Sequence, residues 1–262
     1  MKAIVACCIA FLLFSCTDTA KPTQAPPSPE KTMQEAIGLF PDSPLLRENL
    51  IQFYRDSGYY DKALRETFES LKKDSSFPRW WYIAATLYCE KGDTSEAIAI
   101  LKKSPNLSLD KMSTVLLSTL LAFRRDSLAL AFSDNLMTSL MDAAKEGYFI
   151  KGLYYIQTGQ LNVALKMLDS CLLQSYTFMD AYREKAMVLG GLNRWNEAAA
   201  VMNKAVTVQN NYAEGHYLLG YCLEKMGNTD EALDAFETAL RYDPTYEEAQ
   251  EAIQRLQNMK PR

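Results

Sequence analysis

Histidine is all but missing from this chain: of 262 residues, His216 is the single one. Catalysis built on several imidazoles is therefore excluded. No His-Glu-x-x-His helix occurs, no strand-period pattern appears, and so no glycine-rich phosphate loop follows a strand. The 28 basic residues are outnumbered by 32 acidic ones and lie scattered. A nucleic-acid groove would need a basic stripe, and none is present. Of the six cysteines, Cys89, Cys171 and Cys222 stand far apart inside helical patterns. A disulfide framework needs clustered, even-numbered cysteines, so these three read as small buried hydrophobes. The carboxylates Glu247, Glu248 and Glu251 open a terminal helix, where acids suit the positive end of the helix dipole rather than acid–base work. No catalytic residue, metal ligand or cofactor is expected.

The apolar share of 48% is enough for a sizeable core, and the length suits one or two domains or one repeat array. The amino terminus, MKAIVACCIAFLLFSC, has a basic start at Lys2 and an apolar run from Ala3 to Phe14. That run is too short to span a membrane and fits the core of a secretory signal. Thr17–Thr32 is rich in proline, threonine and serine without apolar periodicity, which marks a tether that cannot offset its ordering entropy.

From Met33 onward the pattern is helical and repeated. Ala63, Ala97, Ala164, Ala198 and Ala232 share one offset; Ala85, Gly152, Ala186 and Gly220 share another. Gly58, Gly92, Gly159, Asn193 and Gly227 fall between the paired helices, and Asn tolerates the left-handed turn conformation. Met33, Ala36, Ile37 and Pro41 read as the end of a half-repeat. Leu50, Ile51 and Tyr54 face inward from the first full unit. Asp93 and Glu96 form a capping-box-like pair, and Pro105 cuts the following helix short. The unit Lys111–Ala144 is degenerate: Arg125-Asp126 replaces the turn glycine. Its second helix carries Leu128, Phe132, Leu136 and Leu140 but no alanine at a convincing offset. Glu247–Met259 gives a capping helix with Ala249, Ala252, Ile253 and Leu256 on one face.

The clearest unit, Ala213–Tyr246, resembles a tetratricopeptide repeat (TPR), a helix-turn-helix unit with a period of 34 residues. The resemblance implies an all-α solenoid of about six such units with a C-terminal capping helix, over residues 33–262. In that family the first helices line a concave face where partners bind. Carrying the offsets over names Tyr82, Thr86, Phe149, Leu153, Arg183, Met187, Tyr217 and Tyr221 as groove residues. The set of Lys, Asn and Arg that grips a terminal carboxylate in chaperone-binding members is missing. The groove reads as aromatic and apolar with an isolated Arg183. His216 falls where other units carry Trp81, Tyr148 and Tyr182, so it is a packing position.

Leu13-Phe14-Ser15-Cys16 resembles a bacterial lipobox. That resemblance implies a signal peptide over residues 1–15, acylation of Cys16 and a tether to residue 32. Thr17 rather than Asp after the cysteine implies sorting to the outer membrane, facing periplasm or cell surface. Together these readings describe a non-enzymatic, lipid-anchored scaffold that holds a protein or peptide in its groove, assists assembly of an envelope complex and binds no nucleic acid. A self-associating envelope protein, or a helical-repeat enzyme acting on cell wall, remain the alternatives.

Overall fold

The computed structural model describes residues 28–140 and 142–259. Among these, fourteen α-helices and one 3₁₀ turn account for the regular structure. In chain order they are α1 (Pro29–Leu39), α2 (Pro44–Asp56), α3 (Tyr60–Lys73), α4 (Pro78–Glu90), α5 (Thr94–Lys102), α6 (Lys111–Phe123) and α7 (Leu128–Ser139). There follow α8 (Ala144–Gln157), α9 (Leu161–Gln174), α10 (Met179–Gly191), α11 (Trp195–Val208), α12 (Ala213–Lys225), α13 (Thr229–Tyr242) and α14 (Glu247–Met259). This is the all-α TPR-type solenoid, with six helix pairs between α1 and the closing α14. The signal and Cys16 lie outside the described residues.

The chain divides into two compact units, residues 1–50 and 51–262. In the first, α1 begins inside the stretch expected as tether. Ser28 caps it by accepting from the Lys31 amide at 3.3 Å, and Pro29 stands at the first helical position. There its missing N–H costs nothing and its fixed φ suits a helix, so proline marks a start where composition suggests a linker.

In the second unit, α4, α6, α8, α10 and α12 each touch the next in that series as well as their own partners. Each of the six intra-pair turns places one residue in the left-handed region. Gly58, Gly92, Gly159 and Gly227 have φ of 73°, 83°, 77° and 83°, and Arg125 and Asn193 each have 59°. The hydrogen bonding is the same throughout and closes a Schellman motif. At the second turn, Gly92 N–H donates to Cys89 O at 2.9 Å and Asp93 N–H to Tyr88 O at 2.8 Å. Asp93 also accepts from the Glu96 amide at 3.1 Å. Only this half of the expected capping box forms, because the Asp93 N–H already serves the turn.

The alanine column is the tightest part of the core: Ala63, Ala97, Ala164, Ala198 and Ala232 are all fully buried. Facing positions carry complementary bulk. A Cβ on Gly152 would stand 3.0 Å from Leu168 Cδ2, and one on Gly220 would stand 2.7 Å from the Phe236 ring and 3.1 Å from Ala232 O.

The degenerate pair α6–α7 corrects one expectation. Ala129 is the column alanine, fully buried, one residue earlier than in its neighbours. In the other five pairs the column alanine donates to a carbonyl four residues back, as Ala97 does to Asp93 at 3.1 Å. Ala129 instead donates three back, to Asp126 at 3.0 Å, so a tighter first turn absorbs the missing residue. Leu128 is consequently turned outward, while Leu136 stays buried. Upstream, α5 stops at Lys102, because the residue before Pro105 is disfavoured in the α conformation.

Two substitutions test this account by urea denaturation. Gly220→Val forces a side chain into the Phe236 ring and is expected to cost about 1–3 kcal/mol. Arg125→Gly relieves a left-handed non-glycine residue and is expected to gain about 1 kcal/mol.

Candidate functional site

A cavity of about 350 Å³ opens between α10, the start of α11 and α12. Its walls are Ala186, Met187, Gly190, Gly191, Trp195, Tyr217, Leu218, Tyr221 and Cys222. Local sequence explains how it forms. Gly190 has no side chain, and a Cβ there would lie 2.6 Å from Trp195 Cζ3, so the indole packs directly against α10. Beside it, a Cβ on Gly191 would meet nothing within 4 Å, which leaves the cavity open. Tyr221 meets Trp195 edge-to-face at 5.9 Å, and Lys225 Nζ stands 5.1 Å from the Tyr221 ring centre. Tyr217 is braced from behind by Phe236 at 5.7 Å and Tyr246 at 5.2 Å. Met187 is 57% exposed and forms the lip.

Of the eight groove positions expected from the repeat, Met187, Tyr217 and Tyr221 meet at this cavity, and Arg183 lies one turn from Met187 on α10. Arg183 is not isolated. Its guanidinium reaches Asp180 at 3.3 Å, Glu184 at 3.1 Å and Glu214 at 3.9 Å. Burial works against its charge, but the Glu184 hydrogen bond and the three carboxylates together hold its pKa above the ordinary value. Tyr212 adds a hydrogen bond to Glu214 at 3.1 Å.

The other four positions lie elsewhere. Leu153 is 3% exposed and belongs to the core, so it presents no surface to a ligand. Phe149 packs on Phe178 at 5.0 Å. On α4, Thr86 returns its hydroxyl to Ile83 O at 2.8 Å, and half-buried Tyr82 sits in the field of Arg55, which Glu90 holds. Offset arithmetic names a face of each helix; it does not say whether the neighbouring helix covers that face.

Trp195, Gly190 and Gly191 were missing from the expected set, yet the sequence carries a signal for them. The other full-length second helices open with Tyr60, Leu161 and Thr229, and α5 with Thr94. Trp195 is the bulkiest of these openings, and it stands four residues after a glycine doublet, which is unusual inside a helix.

His216 is a packing residue, as its offset implied. Its ring stacks on Tyr242 at 5.5 Å, and Nε2 donates to Asn210 O at 2.8 Å. Equivalent side chains make the same bond six residues back: Trp81 Nε1 to Ser75 O and Gln250 Nε2 to Pro244 O, both at 2.8 Å. Cys89, Cys171 and Cys222 are free thiols. Among the described residues no group of three or more His, Cys, Asp or Glu could hold a metal ion, and no helix is long and apolar enough to cross a membrane.

Fold and groove together define a helical-repeat protein of the TPR type. Residues 213–246 match the tetratricopeptide repeat family model. A tetratricopeptide repeat protein from Parabacteroides merdae is similar in structure, with a TM-score of 0.63 at 17% identity over 87% of this chain and 91% of that one. PilW, described as a widely conserved type IV pilus biogenesis factor, gives 0.64 at 18% identity over 79% of this chain and 97% of that one. A chain of the APC/C hetero-tetramer Cut9–Hcn1 gives 0.60 at 14% identity over 86% of this chain, which spans 45% of that longer chain. At these identities the likeness establishes the fold. No curated protein sequence matches the chain significantly.

Burial pushes the Cys171 thiol up to about 12 and the Cys222 thiol up to about 11. Alkylation proceeds through the thiolate. Iodoacetamide at pH 8, read by peptide mass spectrometry, is therefore expected to modify half-buried Cys89 first, and Cys222 and Cys171 only after denaturation.

Proposed function

We propose that this chain is a non-enzymatic docking protein that holds a segment of a protein partner at the α10–α12 cavity. The observation that carries the reading is the cavity itself: about 350 Å³, walled by Trp195, Tyr217 and Tyr221, with Met187 at its lip. That size lies within the range of ligand sites, and the mostly apolar wall suits a bulky apolar anchor. Burying one such side chain contributes about 1.5–3 kcal/mol, or roughly ten- to hundredfold in affinity. The sequence LFSC at residues 13–16 supports attachment to the bacterial outer membrane through an acylated Cys16, and the chain between Cys16 and Ser28 acts as the leash. PilW, of similar fold, is described as a pilus biogenesis factor, so assistance in assembling an envelope complex is the process this reading favours.

A photocrosslinker at Met187 in native membranes tests the docking site. It is expected to trap one discrete partner. Gly191→Leu, whose Cβ would meet nothing within 4 Å, adds an apolar side chain at the open cavity and is expected to cut capture roughly ten- to hundredfold while leaving the far-UV helical signal intact. Undiminished capture in Gly191→Leu would place the interface on another face. Separately, Cys16→Ala is expected to move the protein out of the membrane fraction; retention there would remove the lipid anchor from the reading.

A further inference from the structure

The charge beside the cavity has the opposite sign to the one the sequence suggests. Arg183, expected as a lone cation, faces Asp180, Glu184 and Glu214. Three carboxylates against one guanidinium leave two negative charges at this rim. Asp180 and Glu214 remain 56% and 37% exposed at their side chains, open to a further cation. Helix termini explain only part of the cluster. Asp180 and Glu214 lie in the first turns of α10 and α12. Glu184 lies beyond the first turn and is 19% exposed, and the carboxylates come together from two different helices. The field of Glu214 also reaches the ring behind the cavity wall. Burial and the carboxylates of Glu214 and Glu248 push the Tyr246 phenol, which braces Tyr217, up to about 12. At the far end Arg255 is held by Glu224, with Nη2–Oε2 at 2.7 Å, and Lys225 lies over Tyr221. The groove is thus polarised, acidic where α10 and α12 begin and basic where α12 ends.

Building on the docking reading, we infer that the partner segment carries a lysine or arginine about two residues from the apolar side chain it inserts, and seats that cation on Asp180 and Glu214. The spacing follows from geometry. At ~1.5 Å per residue, Glu214 lies ~4.5 Å before Tyr217 along α12, and Asp180 ~10.5 Å before Met187 along α10. Two residues of extended chain cover ~6.6 Å, between these two values. An extended peptide with this spacing matches both contacts at once.

Peptides of nine residues with a glycine–serine background provide the test. Each holds one tryptophan anchor and, two residues away on either side, Arg, Gln or Glu; the full-length protein is titrated by calorimetry at low and high salt. The Arg peptides are expected to bind about three- to fivefold more tightly than the Gln peptides, with Glu weakest, and the order is expected to collapse in high salt. The paired change Asp180→Asn with Glu214→Gln is expected to erase the Arg preference while preserving binding of the Gln peptides. Equal binding of all three, or an Arg preference that survives the paired change, overturns the charge inference and leaves the docking reading standing. If no peptide binds, or if light scattering shows a dimer that Met187→Asp dissociates, the docking reading falls with it.

Discussion

The rest of the second unit depends on how closely the two helices of each pair approach. That separation is held by side chains with almost no bulk. Ala63, Ala97, Ala129, Ala164, Ala198 and Ala232 are all fully buried, and none could grow without prising its pair apart. Where the first helix offers only Gly152 or Gly220, the second supplies Leu168 or Phe236 to fill the space. Ala85 and Leu101 share one core, as do Ala186 and Met202. A fixed approach in turn demands a short turn of fixed hand, which explains the same left-handed residue and the same pair of hydrogen bonds six times over.

The cavity is a local departure from that economy. On α8 and α12, Gly152 and Gly220 are each answered by a large residue from the partner helix. At Gly190 the answer comes from Trp195, but Gly191 is left unanswered. The packing that makes the array regular therefore also produces an opening when one filler is withheld. The tyrosines around it are doubly employed. Tyr217 walls the cavity and also packs on Phe236 and Tyr246, so the site rests on the same core that joins the last pair to α14.

Most of the fold was readable because the columns report a local constraint. A position that tolerates only Ala or Gly looks the same in every unit. What escaped reading was whatever required knowing a neighbour. Ala129 does not show in the sequence column because the α6–α7 turn is one residue tighter, so the column moves while the left-handed residue stays. The start of α1 was hidden because Ser28-Pro29 serves a helix cap as well as it serves a linker. On the site, Tyr217, Tyr221 and Met187 followed from offsets, whereas the burial of Leu153 depends on packing that no offset encodes. The net charge beside the cavity is hidden from the sequence for the same reason. Arg183 is visible as one basic letter, but its partners Asp180, Glu184 and Glu214 converge only once α10 and α12 lie side by side.

The bond from His216 to the Asn210 carbonyl has a consequence for how one helix pair is joined to the next. Trp81 and Gln250 make the equivalent bond, so an indole, an imidazole and an amide serve one purpose. Each ties the start of its helix to a carbonyl of the preceding loop, and each does so with a single N–H. What the joint requires is a donor of the right reach rather than a particular ring. The letter in that column is therefore free to vary while the joint stays the same.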